Sequence, residues 1–199
     1  ATTVGNLDST NADLSSSYAV KSFENKKQHS QKLDTRDPRS YYHYLMAVKA
    51  EKKYQLKQAA LHYKEVVQHD PETERFHEKW IRLLLRTGQL DEAVRAGQNA
   101  LARFPENEEI EMILGDIFAS QGKAEGAIIH YDRVSQISSE NARAPLLKGS
   151  LLEGLGQFDR ALDEFKKGAM IEPNNPLIQF YLGRAYLRAN QLQEAEKSL

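Results

Sequence analysis

From Ser40 to the end of the chain, apolar residues return every three or four positions in stretches of about three to four turns. Short polar or glycine-bearing breaks separate the stretches. One runs from Glu108 to Gln121; Gly122 follows, and a second amphipathic stretch continues to about Ile137. A glycine at such a break supplies the left-handed backbone conformation that ends many helices. A proline at the far end cannot continue a helix and pushes its predecessor into an extended shape. No segment alternates apolar and polar residues beside turn chemistry, so the pattern predicts an all-α chain of repeated helix–turn–helix units. Residues 1–39 have a different texture. They are polar, carry Ser15, Ser16 and Ser17 in a row, and place few apolar residues at helical spacing. They read as a polar tether, mostly flexible, in which the stretch from Leu14 through Phe23 to Leu33 makes at most one poor amphipathic helix.

The breaks keep a fixed step. Ala59, Ala93, Ala127, Ala161 and Ala195 are each 34 residues apart, as are Gly88, Gly122 and Gly156, and again Gly115, Gly149 and Gly183. Pro71 and Pro105 share the step, Pro173 falls two steps on, and Ser139 takes the place between. Large residues recur in phase at Leu84, Phe118, Leu152 and Tyr186, and at Tyr63, Tyr131 and Phe165. Several columns holding one period are the signature of a solenoid. The units are 40–73, 74–107, 108–141 and 142–175, with a fifth, 176–199, cut short. A hairpin this short cannot bury its apolar face alone, so each unit must stack on its neighbours. The glycines of the 115/149/183 column are expected opposite the alanines of the partner helix, such as Ala127 and Ala161, letting the axes approach. Phe118, Tyr131, Phe165 and Tyr186 are expected to fill the space between layers.

The pattern resembles the tetratricopeptide repeat. The third unit supplies Leu114-Gly115, Phe118, Ala127 and Tyr131; the fourth Gly149, Leu152, Ala161, Phe165 and Pro173; the fifth Leu182-Gly183, Tyr186 and Ala195. Trp80-Ile81 and Met46-Ala47 depart from Leu-Gly, Gly97 stands where a large residue is usual, Gly168 where Ala is, and Pro145 enters the first turn of its helix. The resemblance implies a right-handed superhelix whose first helices line a concave groove where peptides dock. Carried over column by column, the groove holds Tyr41, Tyr44 and Val48; then Arg75, Glu78, Lys79, Arg82 and Arg86. It continues with Glu109, Met112 and Asp116, then Arg143, Leu146 and Ser150, and ends with Leu177, Phe180, Arg184 and Arg188. Arg75, Lys79, Arg82 and Arg86 make a basic stripe along one helix. Chaperone-binding members of the family grip a terminal carboxylate with Lys and Asn on successive inner helices. The matching columns here hold Tyr44, Val48, Lys79, Glu109 and Ile113, which do not reproduce that clamp. Tyr41, Tyr42 and Tyr44 have two readings, as packing onto whatever caps the first helix or as binding surface. Trp80 falls in a packing column.

Composition narrows the function further. The 199 residues carry 27 Lys and Arg against 28 Asp and Glu, a net charge of −1, so no global basic field draws nucleic acid or an anionic membrane. There is no cysteine, hence no disulfide, thiolate metal site or cysteine nucleophile. No apolar run reaches the roughly 20 residues that span a bilayer. Gly154-Leu155-Gly156 lacks the third Gly, the Lys and the strand of a phosphate loop, and His77-Glu78 meets Ile81 where a zinc protease needs its second His. His62 and His69, two turns apart, make a weak metal site on their own. The expectation is therefore no catalytic residue, no metal and no cofactor. The chain opens at Ala1 and stops within a helical pattern at Leu199, as a processed or excised piece would. The compartment stays open between the cytoplasm and a bacterial periplasm or envelope. The function expected is a protein-interaction scaffold whose groove takes a peptide or protein with acidic and apolar residues. Two alternatives stand beside it: the docking or regulatory arm of an enzyme that continues past Leu199, or a self-assembling envelope component that associates through its uncapped last unit.

Overall fold

The computed structural model describes residues 37–189 and 191–198, and the polar tether expected before residue 37 lies outside the described residues except for its last three positions. Ten helices, and no strands, occur among the described residues. They form five consecutive hairpins: α1 (Pro38–Lys52) with α2 (Leu56–His69), α3 (Glu74–Arg86) with α4 (Leu90–Arg103), α5 (Glu108–Ser120) with α6 (Ala124–Ile137), α7 (Arg143–Gly154) with α8 (Phe158–Ile171), and α9 (Pro176–Arg188) with α10 (Leu192–Ser198). Each helix packs on its neighbours in the chain, and α3 also meets α5, so the first helices of successive hairpins form an inner row. The molecule is a helical repeat solenoid.

The turn inside each hairpin is the same device. The N–H groups of Gln55, Gln89, Lys123, Gln157 and Gln191 reach back to the carbonyls of Ala50, Leu84, Phe118, Leu152 and Tyr186, closing the end of the first helix. The residue before the donor takes positive φ: 75° at Gly88, 71° at Gly122 and 74° at Gly156. In the first hairpin that place belongs to Tyr54, at 57°. A side chain there is strained, and the Tyr54 ring is 86% exposed, with little packing to offset it.

Between hairpins a second column closes the joints, and the sequence reading missed it. The side-chain oxygens of Asn107, Asn141 and Asn175 accept from the N–H groups of Ile110, Ala144 and Ile178, capping the first turn of the next helix. Two of these asparagines also hold the layer behind them, whereas Asn175 donates to Glu172 in its own joint. Asn107 donates to Glu74 at 2.6 Å and Glu78 at 2.9 Å, and Asn141 donates to Glu108.

Inside the hairpins the glycines face something other than alanine. A Cβ on Gly115 would lie 2.5 Å from the ring of Tyr131, and one on Gly149 would lie 2.6 Å from the ring of Phe165. The missing side chain makes room for the aromatic of the partner helix, which is why the two recur at one period. The second unit inverts the pair: Ile81 fills the glycine place, Gly97 stands in the aromatic place, and Leu114 of the next layer closes over Gly97. The space that Gly97 leaves is thus taken by the next layer. Tyr131 and Phe165 are fully buried as expected, whereas Phe118 and Tyr186 are half-buried, Phe118 lying on the ring of His130. The alanine column is sealed, from Ala59, Ala93 and Ala127 to Ala161 and Ala195. Buried phenols keep partners: Tyr131 donates to Asp116 at 2.8 Å and Tyr63 to Glu51 at 3.2 Å. Burial, and then those carboxylates, push both phenol pKa values far above normal.

Two outcomes follow from this packing. Gly115→Ile should destabilise by about 1–3 kcal/mol through overpacking, and Tyr131→Gly by about 3–5 kcal/mol through a cavity. The double variant, which copies the Ile81/Gly97 pair, should lose less than the sum by about 1 kcal/mol or more; strict additivity in urea unfolding would refute the size match. Tyr54→Gly should raise stability by about 0.5 kcal/mol, the relieved backbone strain exceeding the entropy that glycine adds to the unfolded chain. A lowered melting midpoint would show instead that the exposed ring carries packing.

Candidate functional site

The inner row of helices α1, α3, α5, α7 and α9 carries the residues assigned to the groove, and the structure divides them into three sets. The first set surrounds a cavity of ≈ 450 Å³ at the joint between the first and second hairpins. Tyr41, Tyr44 and Val48 of α1 and Arg75 and Lys79 of α3 line it together with Ser40, Glu51, Tyr63, Asp70, Thr73 and Phe76. Aromatic rings form its wall. Tyr44 lies 5.5 Å from Phe76 and 6.4 Å from Tyr63, edge-on to the latter. Of the two carboxylates at this joint, Glu51 already accepts from Tyr63 and Asp70 accepts from the Thr73 hydroxyl at 2.8 Å. Neither Arg75 nor Lys79 has a carboxylate within ion-pair reach among the described residues, so the rim keeps two uncommitted cations.

The second set is charged residues that neutralise one another between adjacent inner helices. Arg82 pairs with Glu109, Arg143 with Asp116 at 2.7 Å, and Arg184 with Glu153. Arg188 approaches the same Glu153 at 3.2 Å and lies over the ring of Phe158. Each pair joins one layer to the next. The Arg82–Glu109 and Arg143–Asp116 pairs are largely exposed, so each contributes at most about 1 kcal/mol, whereas Glu153 is nearly buried. The basic stripe read along α3 is therefore split: Arg82 is engaged across the joint, while Arg75, Lys79 and the exposed Arg86 have no such partner among the described residues.

The third set corrects the reading. Met112 and Leu146 were expected on the groove surface, but they are 3% and 7% exposed. Met112 clusters with Ala144 and Leu146 with Ile178, one layer further on, as Tyr44 meets Phe76 at the first joint. Their column points across the joint and not into the groove. Elsewhere the column reaches solvent: Tyr44 opens on the cavity, Glu78 is half-buried, and Phe180 is 51% exposed beside Arg184 and Tyr181. Ser150 donates to the Leu146 carbonyl of its own helix, Glu78 holds Asn107, and Leu177 is exposed. Phe76 was missed as a lining residue. Its signal was the 34-residue step it shares with Ile110, Ala144 and Ile178, all buried.

Other polar clusters look structural. Lys148 is half-buried between Asp132 and Glu164, and Glu164 also takes Lys167. Burial pulls the Lys148 amine down, but its two carboxylates outweigh that and raise its pKa. Among the described residues no group of three or more His, Cys, Asp or Glu side chains is arranged to hold a metal ion, and no helix is long and apolar enough to cross a membrane.

Comparison with known proteins places this architecture. Two family models of the tetratricopeptide repeat match residues 78–142 and 152–199, together more than half of the chain. Among curated proteins, the BBSome complex member BBS4 of Bos taurus is 28% identical over 105 residues, 53% of this chain. The Vi polysaccharide export protein VexE of Salmonella typhi is 25% identical over 116 residues, 56% of this chain. The chain spans 20% and 18% of the lengths of these two relatives. Solved structures of MamA share the fold. One has a TM-score of 0.71 at 21% identity, covering 80% of this chain and 87% of that one. MamA from Desulfovibrio magneticus RS-1 has a TM-score of 0.71 at 16% identity, covering 82% and 93%. Identities this low carry the fold alone. With the alanine, glycine and aromatic columns in register and both models matching, the chain belongs to the tetratricopeptide repeat family.

Proposed function

We propose that this chain is a non-catalytic scaffold that works inside a protein assembly, holding a partner at the inner face with the first-joint cavity as its anchor. An apolar or aromatic side chain of the partner enters between Tyr41, Tyr44 and Phe76, and a neighbouring carboxylate meets Arg75 and Lys79. The observation that carries this reading is the pairing of an apolar-walled cavity with two uncommitted cations at its rim. The family resemblance supports it, and so does the likeness to BBS4, which is named as a member of a complex. Burying an aromatic anchor supplies affinity, and the cations fix register and raise the encounter rate.

A second reading, self-association through the end of the stack, rests on a different observation. Ile110, Ala144 and Ile178 are each sealed by the preceding layer, at 0%, 0% and 1% exposure. The residue one step before Phe76 in this column is Tyr42, which is 57% exposed, and Leu45 beside it is 47% exposed. Among the described residues nothing covers this face of the first hairpin, which the other hairpins bury, and a second copy of the chain would cover it.

Each reading has its own measurement. Peptides selected from a random displayed library on the full chain should be enriched in Asp or Glu next to an aromatic or aliphatic residue. Arg75→Glu with Lys79→Glu should weaken the best of them by about tenfold or more, roughly 1.4 kcal/mol. Selected peptides without acidic residues, or equal binding by the charge-reversed chain, would remove the cavity from the mechanism. For self-association, sedimentation should show a concentration-dependent oligomer that Tyr42→Glu and Leu45→Glu together abolish; a monomer at every concentration counts against it.

A further inference from the structure

The first hairpin brings together three histidines that sequence spacing does not connect. His43 of α1 and His62 of α2 face each other with their Nδ1 atoms 3.2 Å apart. Their rings are 5.5 Å apart and inclined at 41°. The ring of His69 lies nearly parallel to that of His43, at 6.3 Å and 20°, and its own Nδ1 is 3.3 Å from a carboxylate oxygen of Asp37. All three imidazoles are half-buried. His62 had been paired in sequence with His69, two turns along the same helix; in space its partner is His43, on the other helix of the hairpin.

Two imidazole nitrogens this close have one chemistry in common. A hydrogen bond between them needs a proton on one Nδ1 and a lone pair on the other. Burial, and then the proximity of His43, hold His62 below the usual imidazole value, although the Glu65 carboxylate acts the other way. The separation is also that of two ligands on one metal. Zn–N bonds of 2.0–2.1 Å at a tetrahedral angle set the nitrogens about 3.3 Å apart. To hold one ion, both Nδ1 lone pairs have to turn toward a common point.

We propose that His43 and His62 form a two-nitrogen site for a divalent transition ion of the Zn²⁺ and Cu²⁺ class, bridging α1 and α2. Imidazole donors select these ions over Mg²⁺ and Ca²⁺. The remaining coordination positions belong to water, since no third donor converges with the pair among the described residues. His69, stacked on His43 and tied to Asp37, is a positioning residue that fixes the ring plane. The proton balance is simple. Both rings bind the ion in their neutral form, and the ring that donated through Nδ1 shifts its proton to Nε2 through solvent. The chain has no cysteine, so no thiolate competes for the ion. A bound ion would stiffen the hairpin whose α1 also presents Tyr41, Tyr44 and Val48 to the cavity, but the site stands independently of what that cavity binds.

The test is calorimetric titration of the untagged full chain with ZnCl₂, CuCl₂ and MgCl₂. One Zn²⁺ or Cu²⁺ per chain is expected, Cu²⁺ the tighter, with no heat from Mg²⁺. His43→Gln and His62→Gln should each lower affinity by about tenfold or more, and His69→Gln far less. Equal binding by the wild type and the His43→Gln/His62→Gln double variant overturns the site, and so does a larger loss from His69→Gln than from either. Should the variants fold poorly, imidazole nitrogen resonances of the wild-type chain decide the matter. On adding Zn²⁺ the Nδ1 signals of His43 and His62 should move while their Nε2 protons remain, and unmoved Nδ1 signals overturn the proposal.

Discussion

The third and fourth hairpins of this solenoid depend on a size match across one helix–helix contact. The ring of Tyr131 or Phe165 occupies the volume that Gly115 or Gly149 leaves empty, and the volume at Gly97 is filled by Leu114 of the next layer. A glycine inside a helix costs about 1 kcal/mol relative to alanine. It persists because a Cβ at 2.5 Å from a buried, hydrogen-bonded ring would force that ring or the helix aside, at a cost of about 1–3 kcal/mol. The steric term wins. Close approach of the two helices then sets the thickness of each hairpin, and that thickness fixes the spacing of the inner row on which the cavity and the ion pairs are placed.

The fold was legible because that match leaves a trace at a fixed period. Small and large residues recur at one step, and the turn glycines recur where positive φ is needed. Two things blurred the site. A column in sequence fixes the direction of a side chain relative to its own helix, but not what the next layer places over it. Met112 and Leu146 share a column with Tyr44 and Phe180, yet they are buried while those two reach solvent. Likewise Arg82 is indistinguishable from Arg75 and Lys79 along α3, until Glu109 is found one layer on. Contacts between helices, His43 with His62 among them, have no spacing rule that would reveal them. The asparagine caps are the opposite case, since Asn107, Asn141 and Asn175 keep the period and could have been read.

The first hairpin differs from the others in several respects at once. It alone among the described turns puts a non-glycine residue at positive φ, its layer face is open at Tyr42 and Leu45, and its joint with the second hairpin holds the cavity. In a stack, interior units are constrained on two sides and terminal units on one. The column sealed at Ile110, Ala144 and Ile178 is released at Tyr42, where a tyrosine stands exposed. Such release is what functional residues need, because a side chain that already fills a joint cannot also meet a partner.

The charges on the inner face bear on where a partner would attach. Arg82, Arg143 and Arg184 are each held by a carboxylate of the same chain. Such exposed pairs are individually weak, but they are intramolecular, so an incoming carboxylate must displace a group that is always at hand. It gains only the difference between two similar interactions. Arg75 and Lys79 impose no such exchange, since no carboxylate of the described residues forms an ion pair with either, although Glu51 and Asp70 line the same cavity. A partner's carboxylate there adds an interaction instead of replacing one, and the aromatic wall beside it lowers the local dielectric and strengthens that interaction. By this reasoning the middle of the inner face serves mainly to join layers, and attachment is favoured at the first joint.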